Sequence, residues 1–190
     1  MKVAITGHSQ GIGKALADVF QTNGHTVLGF SRSNGFDISK SASRISIINE
    51  SRDVDIFINN AYHPIGQLEL LKEIIEQWRY VDKIIINIGS KCIMYPTENP
   101  NPLIEQYQIE YKNAKQQQED IINDLLPHRH PKLLNIVPGL VDAGLSKIYS
   151  ADPNKINPTH LAQLIYSIIS LRDQLVVQQI ILAPAQREGI

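Results

Sequence analysis

The chain has 190 residues, 43% of them hydrophobic, with 18 basic and 19 acidic residues and a formal net charge of −1. That length suits one domain, and the apolar share is large enough for a core, which excludes a disordered chain. Charge is spread without blocks, no apolar run could span a bilayer, and Cys92 is the only cysteine, so nucleic-acid surfaces, membrane anchors, disulfides and cysteine zinc sites are not expected.

In chain order, the pattern alternates short β-branched runs with longer amphipathic stretches. "KVAIT" (2–6) reads as a strand, and "GIGKALADVFQTNG" (11–24) as a helix with Ile12, Leu16, Val19 and Phe20 on one face and Gly24 as its stop. "TVLGF" (26–30) is the second strand. Only residues 31–35 separate it from "FDI", too few for a helical crossover. Either "FDI" is a short strand reached by a tight excursion, or that strand is largely missing. A helix over 41–51, a buried strand over 55–61 and an amphipathic helix over 68–78 follow. Next come a strand over 83–90, a Pro- and Asn-rich loop over 95–102 and a long polar helix over 104–126. "KLLNIVPG" (132–139) is a strand entering a turn. Residues 158–171 form a helix capped by Thr159 or Asn157, and 174–183 the last strand. Strands apolar on both faces and alternating with helices predict one doubly wound α/β domain over 1–190. Its parallel sheet has six or seven strands, with helices on both faces.

The stretch "TGHSQGIGKA" (6–15) could seat phosphate in two ways. A triphosphate loop needs G-x-x-x-x-G-K-[ST]; here Gly7 to Gly13 is one residue too long, and Ala15 after Lys14 has no hydroxyl for magnesium. The other way is a dinucleotide turn. Gly7 would then allow the tight bend, Gly11 close backbone approach to a pyrophosphate and Gly13 close helix–strand packing, with the helix N-terminus facing the anion. Lys14 becomes a helix-surface residue.

The spacing T-G-x-x-x-G-x-G resembles the turn of the short-chain dehydrogenase/reductase family, and later landmarks occur in that family's order. "NNA" (59–61) resembles N-N-A-G, "NIGS" (87–90) resembles N-I-S-S, "YKNAK" (111–115) supplies Y-x-x-x-K, and "PGLV" (138–141) resembles P-G-x-V. The resemblance spans nearly the whole chain, and each landmark ends or follows a strand, where open α/β sheets bind ligands. It implies a shortened member with a Rossmann-like NAD(P)-binding domain. The expected activity is interconversion of a carbonyl and an alcohol on a small molecule by hydride transfer. The catalytic residues implied are Ser90, Tyr111 and Lys115. Tyr111 and Lys115 share a helix face; the ammonium should lower the phenol from its usual value of about 10. Tyr111 would then exchange a proton with substrate, Lys115 hydrogen-bond the nicotinamide ribose and Ser90 polarise the carbonyl.

The cofactor contacts implied are Gly7, Ser9, Gly11, Ile12, Gly13, Ser31, Arg32, Asp37, Ile38, Asn60, Ala61, Tyr111, Lys115, Pro138, Gly139 and Val141. Among them, Asp37 and Ile38 would meet the adenine. The end of the second strand reads "GFSRS", with no acid for a ribose 2′-hydroxyl; Arg32 can grip a 2′-phosphate, so NADP is expected over NAD. The two helices 68–78 and 104–126 resemble those that form subunit contacts in the family, implying a homodimer or homotetramer. With no leader-like region before the first glycine, a cytoplasmic location is expected.

Several positions depart from the family pattern. Tyr62 replaces the glycine after "NNA", and 61–86 contains no asparagine, so the family's relay residue is lost or differently built. The loop from Ser90 to Tyr111 is longer than usual, Ala143 stands where a threonine is common, and only a small lid over roughly 142–157 remains. Tyr107 lies one turn before Tyr111 and either packs or lines a pocket; His63 falls near the expected cleft. Cys92 reads as a pocket or core residue, and His128 and His130 as surface-loop residues without a metal pattern. Two rival functions stay open: a cofactor-binding sensor or scaffold that does little chemistry, and a methyltransferase holding S-adenosylmethionine at the glycine turn.

Overall fold

The computed structural model describes residues 1–97, 101–125, 131–143, 154–174 and 176–185. His128, His130 and most of the 142–157 lid lie outside these. Among the described residues the elements are β1 (Lys2–Thr6), α1 (Gly11–Thr22), β2 (Thr26–Phe30), α2 (Ser41–Glu50), β3 (Ile56–Asn59) and α3 (Gly66–Gln77). They continue with β4 (Ile84–Ile88), α4 (Pro102–Leu125), β5 (Lys132–Pro138), α5 (Pro158–Ser170) and β6 (Gln179–Leu182).

The six strands form one parallel sheet in the order β2-β1-β3-β4-β5-β6. Its central strands are built from β-branched residues buried on both faces, as a parallel sheet covered by helices requires. Alternate residues serve two cores. Val3, Ile5, Ile56, Ile58, Ile86 and Ile136 pack beneath α1 and α5, which contact each other. Ala4, Phe57, Ile85 and Leu133 pack on the opposite face beneath α2, α3 and α4. The chain leaves β1 toward β2 on one side and returns to β3 on the other, so a crevice opens at the carboxyl ends of β1 and β3.

The stretch "FDI" is not a strand. The chain leaves β2 into a single 3₁₀ turn, Arg32–Asn34, closed by Gly35 at φ 94°. Phe36 then packs edge-on against Phe30, and Ile38 drops into the core. Five residues cannot carry the chain over the sheet to a new parallel position, so β2 remains the edge. The last strand is also shorter than its apolar run, 179–182 rather than 174–183.

Asn157, not Thr159, caps α5: its Oδ1 accepts from the Thr159 and His160 amides at 2.8 and 3.3 Å. Asn157→Ala is expected to cost about 1 kcal/mol of stability, read as a lower urea midpoint at unchanged slope.

Candidate active site

The glycine turn sits at the mouth of the crevice between β1 and β3. Gly7 and Gly11 have φ of 71° and 56°, the left-handed region that side chains disfavour. At Gly13, whose φ is ordinary, space is the constraint: a Cβ there would lie 2.2 Å from the Gly7 carbonyl oxygen. Asn60 braces the bend, donating Nδ2 to the Thr6 carbonyl, while the Asn60 and Ala61 amides both donate to Thr6 Oγ1. Ser9 is exposed on the rim, Ile12 half-buried behind it. Gln10 precedes α1 without capping it through its side chain, so the first-turn amides fit an anion such as a pyrophosphate. Ala143 approaches from across the crevice; a Cβ on Gly11 would meet its Cβ at 3.1 Å. Lys14 lies outside this seat, paired with Asp18 at 2.6 Å on the exposed face of α1.

At the end of β2, Ser31 is buried and bonded to Ser33 and Asn34, while Arg32 is exposed. The Asp37 carboxyl is held below the usual range, first by hydrogen bonds from Ser39, with smaller help from Lys40 and Arg32. Ile38 is turned into the core, its carbonyl accepting from Arg44 Nη1. Beyond β5, Gly139 is tied through its amide to the Leu182 carbonyl, and Pro138 and Val141 are buried. Val141 also forms an isolated bridge with Ile156.

The Ser90 side chain, just past β4, stands beside the Tyr111 phenol, whose pKa it acts to lower, and accepts from the Cys92 amide at 3.3 Å. The longer loop between Ser90 and Tyr111 therefore does not separate them. Around Tyr111 stand Tyr107, nearly parallel at 6.4 Å between ring centroids, and Tyr62 at 4.8 Å. Tyr107 thus packs on Tyr111. Burial pushes the Cys92 thiol up, as for a pocket residue rather than a nucleophile. His63 turns away to structure: its Nδ1 accepts from the Gly66 amide at the start of α3.

Lys115 lies beside Tyr111 but is buried. It is 4% exposed, and its Nζ lies 5.7 and 5.8 Å from the ring centroids of Tyr62 and Tyr111. The ammonium donates to Gln67 Oε1 at 2.9 Å, the Ile88 carbonyl at 2.8 Å and Gln118 Oε1 at 3.5 Å. Burial brings it down to about 7. The expected lowering of Tyr111 by this ammonium is reversed here: burial raises the phenol well above its usual value, against the lowering effect of Ser90 beside it. Tyr62 is the cause of part of this enclosure. Where a glycine would leave a path, its ring covers Lys115 and leaves its own hydroxyl buried without a partner.

Gln67 is the residue that sequence reasoning missed. It is fully buried in the first turn of α3 and presents the only glutamine side chain of that turn to Lys115. Its sole trace in the sequence was an amide in the segment that lacks the family's asparagine.

A parallel sheet with a glycine turn at its switch point and polar chemistry at neighbouring strand ends defines a nucleotide-binding α/β protein of the doubly wound class. The sequence profile of the short chain dehydrogenase family matches residues 1–110, and the chain belongs to that family of NAD(P)-dependent oxidoreductases. The match ends one residue before Tyr111. A comparison with curated proteins gives no match. Among solved structures, the chain is similar to a 4-hydroxyisoleucine dehydrogenase complexed with NADH, at 15% identity and TM-score 0.78, covering 100% of this chain and 99% of that one. It is also similar to a 3-alpha-hydroxysteroid dehydrogenase from a Pseudomonas species complexed with NADH, at 17% identity, TM-score 0.73 and coverages of 96% and 94%. An alcohol dehydrogenase from the archaeon Thermococcus sibiricus, complexed with 5-hydroxy-NADP, gives 16% identity, TM-score 0.70 and coverages of 100% and 99%. No described helix is long and apolar enough to cross a membrane.

Proposed function

We propose that the protein is an NADP-dependent reductase interconverting a small carbonyl compound and its alcohol, with Tyr111 as proton donor and acceptor. The observation that carries this reading is the placement of Ser90, just past β4, beside the Tyr111 phenol on α4. The nicotinamide, when bound, supplies or takes the hydride. Gly7, Gly11 and Gly13 with the first turn of α1 would hold its pyrophosphate. Ser90 would orient the substrate oxygen, and Tyr111 would move the proton. Lys115 would meet the nicotinamide ribose only after the Tyr62 ring moves aside.

NADP over NAD is supported by Arg32, exposed at the end of β2 with a planar fork suited to a phosphate, and by the lack of an acid at that strand end. Arg32→Ala is expected to weaken NADPH about tenfold or more while leaving NADH within twofold, as the loss of one charge-assisted contact requires. Equal NADPH affinity in the variant, measured by calorimetry, would remove Arg32 from the phosphate site.

A second reading, a cofactor-binding sensor or scaffold with little turnover, draws on the covered Lys115 and the raised Tyr111 phenol. A panel of small ketones and aldehydes with NADPH separates the two. Oxidation that depends on Tyr111 supports the reductase, and tight NADPH binding with no oxidation supports the sensor. A methyltransferase would require S-adenosylmethionine binding and leaves the Ser90–Tyr111 contact without a role. The family's multimeric helices correspond to α3 and α4, and a homodimer or homotetramer remains part of the proposal.

A further inference from the structure

Three strands carry an asparagine at one level of the sheet. Asn59, Asn87 and Asn135 are in direct register on β3, β4 and β5, and all three are buried on the face beneath α3 and α4. Their amides run head to tail. Asn59 Nδ2 donates to Asn87 Oδ1, and Asn87 Nδ2 to Asn135 Oδ1, each at 3.1 Å; Asn135 Nδ2 then donates to Glu119 Oε2. Gln179, next in register on β6, donates to the other Glu119 oxygen. Glu119 is itself buried, on α4 one turn beyond Lys115.

The direction of the row follows from its end. Both Glu119 oxygens accept from amide N–H groups, so Asn135 must turn its nitrogen toward Glu119 and its oxygen toward Asn87. The same constraint passes to Asn87 and then to Asn59. Asn59 Nδ2 therefore also faces α3, where it donates to the Gln67 carbonyl at 3.1 Å, and Asn59 Oδ1 is left buried without a partner. Reversing the row would set the Asn59 oxygen against that carbonyl. The row thus holds the backbone of Gln67, whose side chain is oriented by the main chain: Nε2 donates to the Asn59 and Ile88 backbone carbonyls, so Oε1 can only face Lys115.

We propose that Gln67 is a positioning residue for Lys115, and that the amide row anchored on Glu119 holds the α3 backbone at Gln67 in the place this role needs. The proposal rests on the reading that Lys115 serves the reductase site, but the contact itself is independent of cofactor and substrate. The other groups that face the ammonium are Tyr62 from the segment after β3, Cys92 from the turn after Ser90, and Tyr111 and Gln118 from α4. Among the described residues no carboxylate pairs with Lys115, so the neutral acceptor on Gln67 is a main support for its charged form.

The test is an NMR titration of cofactor-free protein labelled with 15N-lysine, the Lys115 signal being assigned by its loss in Lys115→Met. In the wild type burial places the midpoint at about 7. Gln67→Glu is expected to raise proton affinity about tenfold or more, by setting a carboxylate against the ammonium. Gln67→Leu should lower it, Gln67→Asn should fall between Leu and wild type, and Glu119→Gln should lower it less than Gln67→Leu. Unmoved midpoints in Gln67→Glu and Gln67→Asn overturn the positioning role even if the Leu variant fails to fold. An unmoved midpoint in Glu119→Gln overturns the anchor. If instead the midpoints move while the wild type oxidises NADPH with none of the ketones and aldehydes, the reductase reading fails and the Gln67–Lys115 contact stands.

Discussion

Tyr111→Phe is expected to lower carbonyl reduction about 10²- to 10⁴-fold, the range of a lost general acid, with NADPH affinity nearly unchanged. The substitution removes one hydroxyl and keeps the ring that packs against Tyr62 and Tyr107, so the fold should survive. What it deletes is the phenol hydroxyl beside Ser90. Burial raises this phenol, so in the cofactor-free protein it stays protonated across the neutral range. A protonated phenol can give its proton to a carbonyl oxygen but cannot take one from an alcohol. Reduction is therefore expected to be the faster direction near neutral pH, with alcohol oxidation gaining as pH rises. Steady-state kinetics in both directions, with calorimetric NADPH binding, check both statements. Turnover within tenfold of wild type in the variant would end the catalytic assignment.

Gly13→Ala is expected to abolish NADPH binding and to destabilise the protein by about 3 kcal/mol, the upper range for forced overpacking. The added Cβ would lie 2.2 Å from the Gly7 carbonyl oxygen and 2.6 Å from Asn60 Nδ2. The first is backbone and the second is held by the Thr6 carbonyl, so neither can yield without opening the turn. Gly24→Ala is the control. Unlike Gly13 it has a positive φ, 77°, and nothing lies within 4 Å of the new Cβ, so its cost should be the backbone term alone, about 1 kcal/mol. Urea unfolding of both variants, with NADPH fluorescence titration, separates the two. If Gly13→Ala binds NADPH as wild type does, the pyrophosphate seat has been misplaced.

Much of this was legible in the primary structure because it depends on local spacing. The β-branched runs form the strands at the places read for them, and the glycine spacing at 7, 11 and 13 forms the bend, since periodicity and positive φ are properties of short segments. The four-residue interval from Tyr111 to Lys115 puts both on α4. An interval along a helix does not say how far each side chain reaches, nor what covers it. Tyr62 and Gln67 approach Lys115 from other elements, and their contacts made it a buried group rather than an open one. Asn59, Asn87, Asn135 and Glu119 likewise look unrelated in the chain, being 28, 48 and 16 residues apart along their contacts. Strand register joins them, and a buried polar group must find its partners wherever packing sets them. The sequence by itself determined the class of fold, the glycine turn and the placing of Tyr111 and Lys115 on one helix. Tertiary structure alone decided their environment, because burial and long-range hydrogen bonds are set by which surfaces meet.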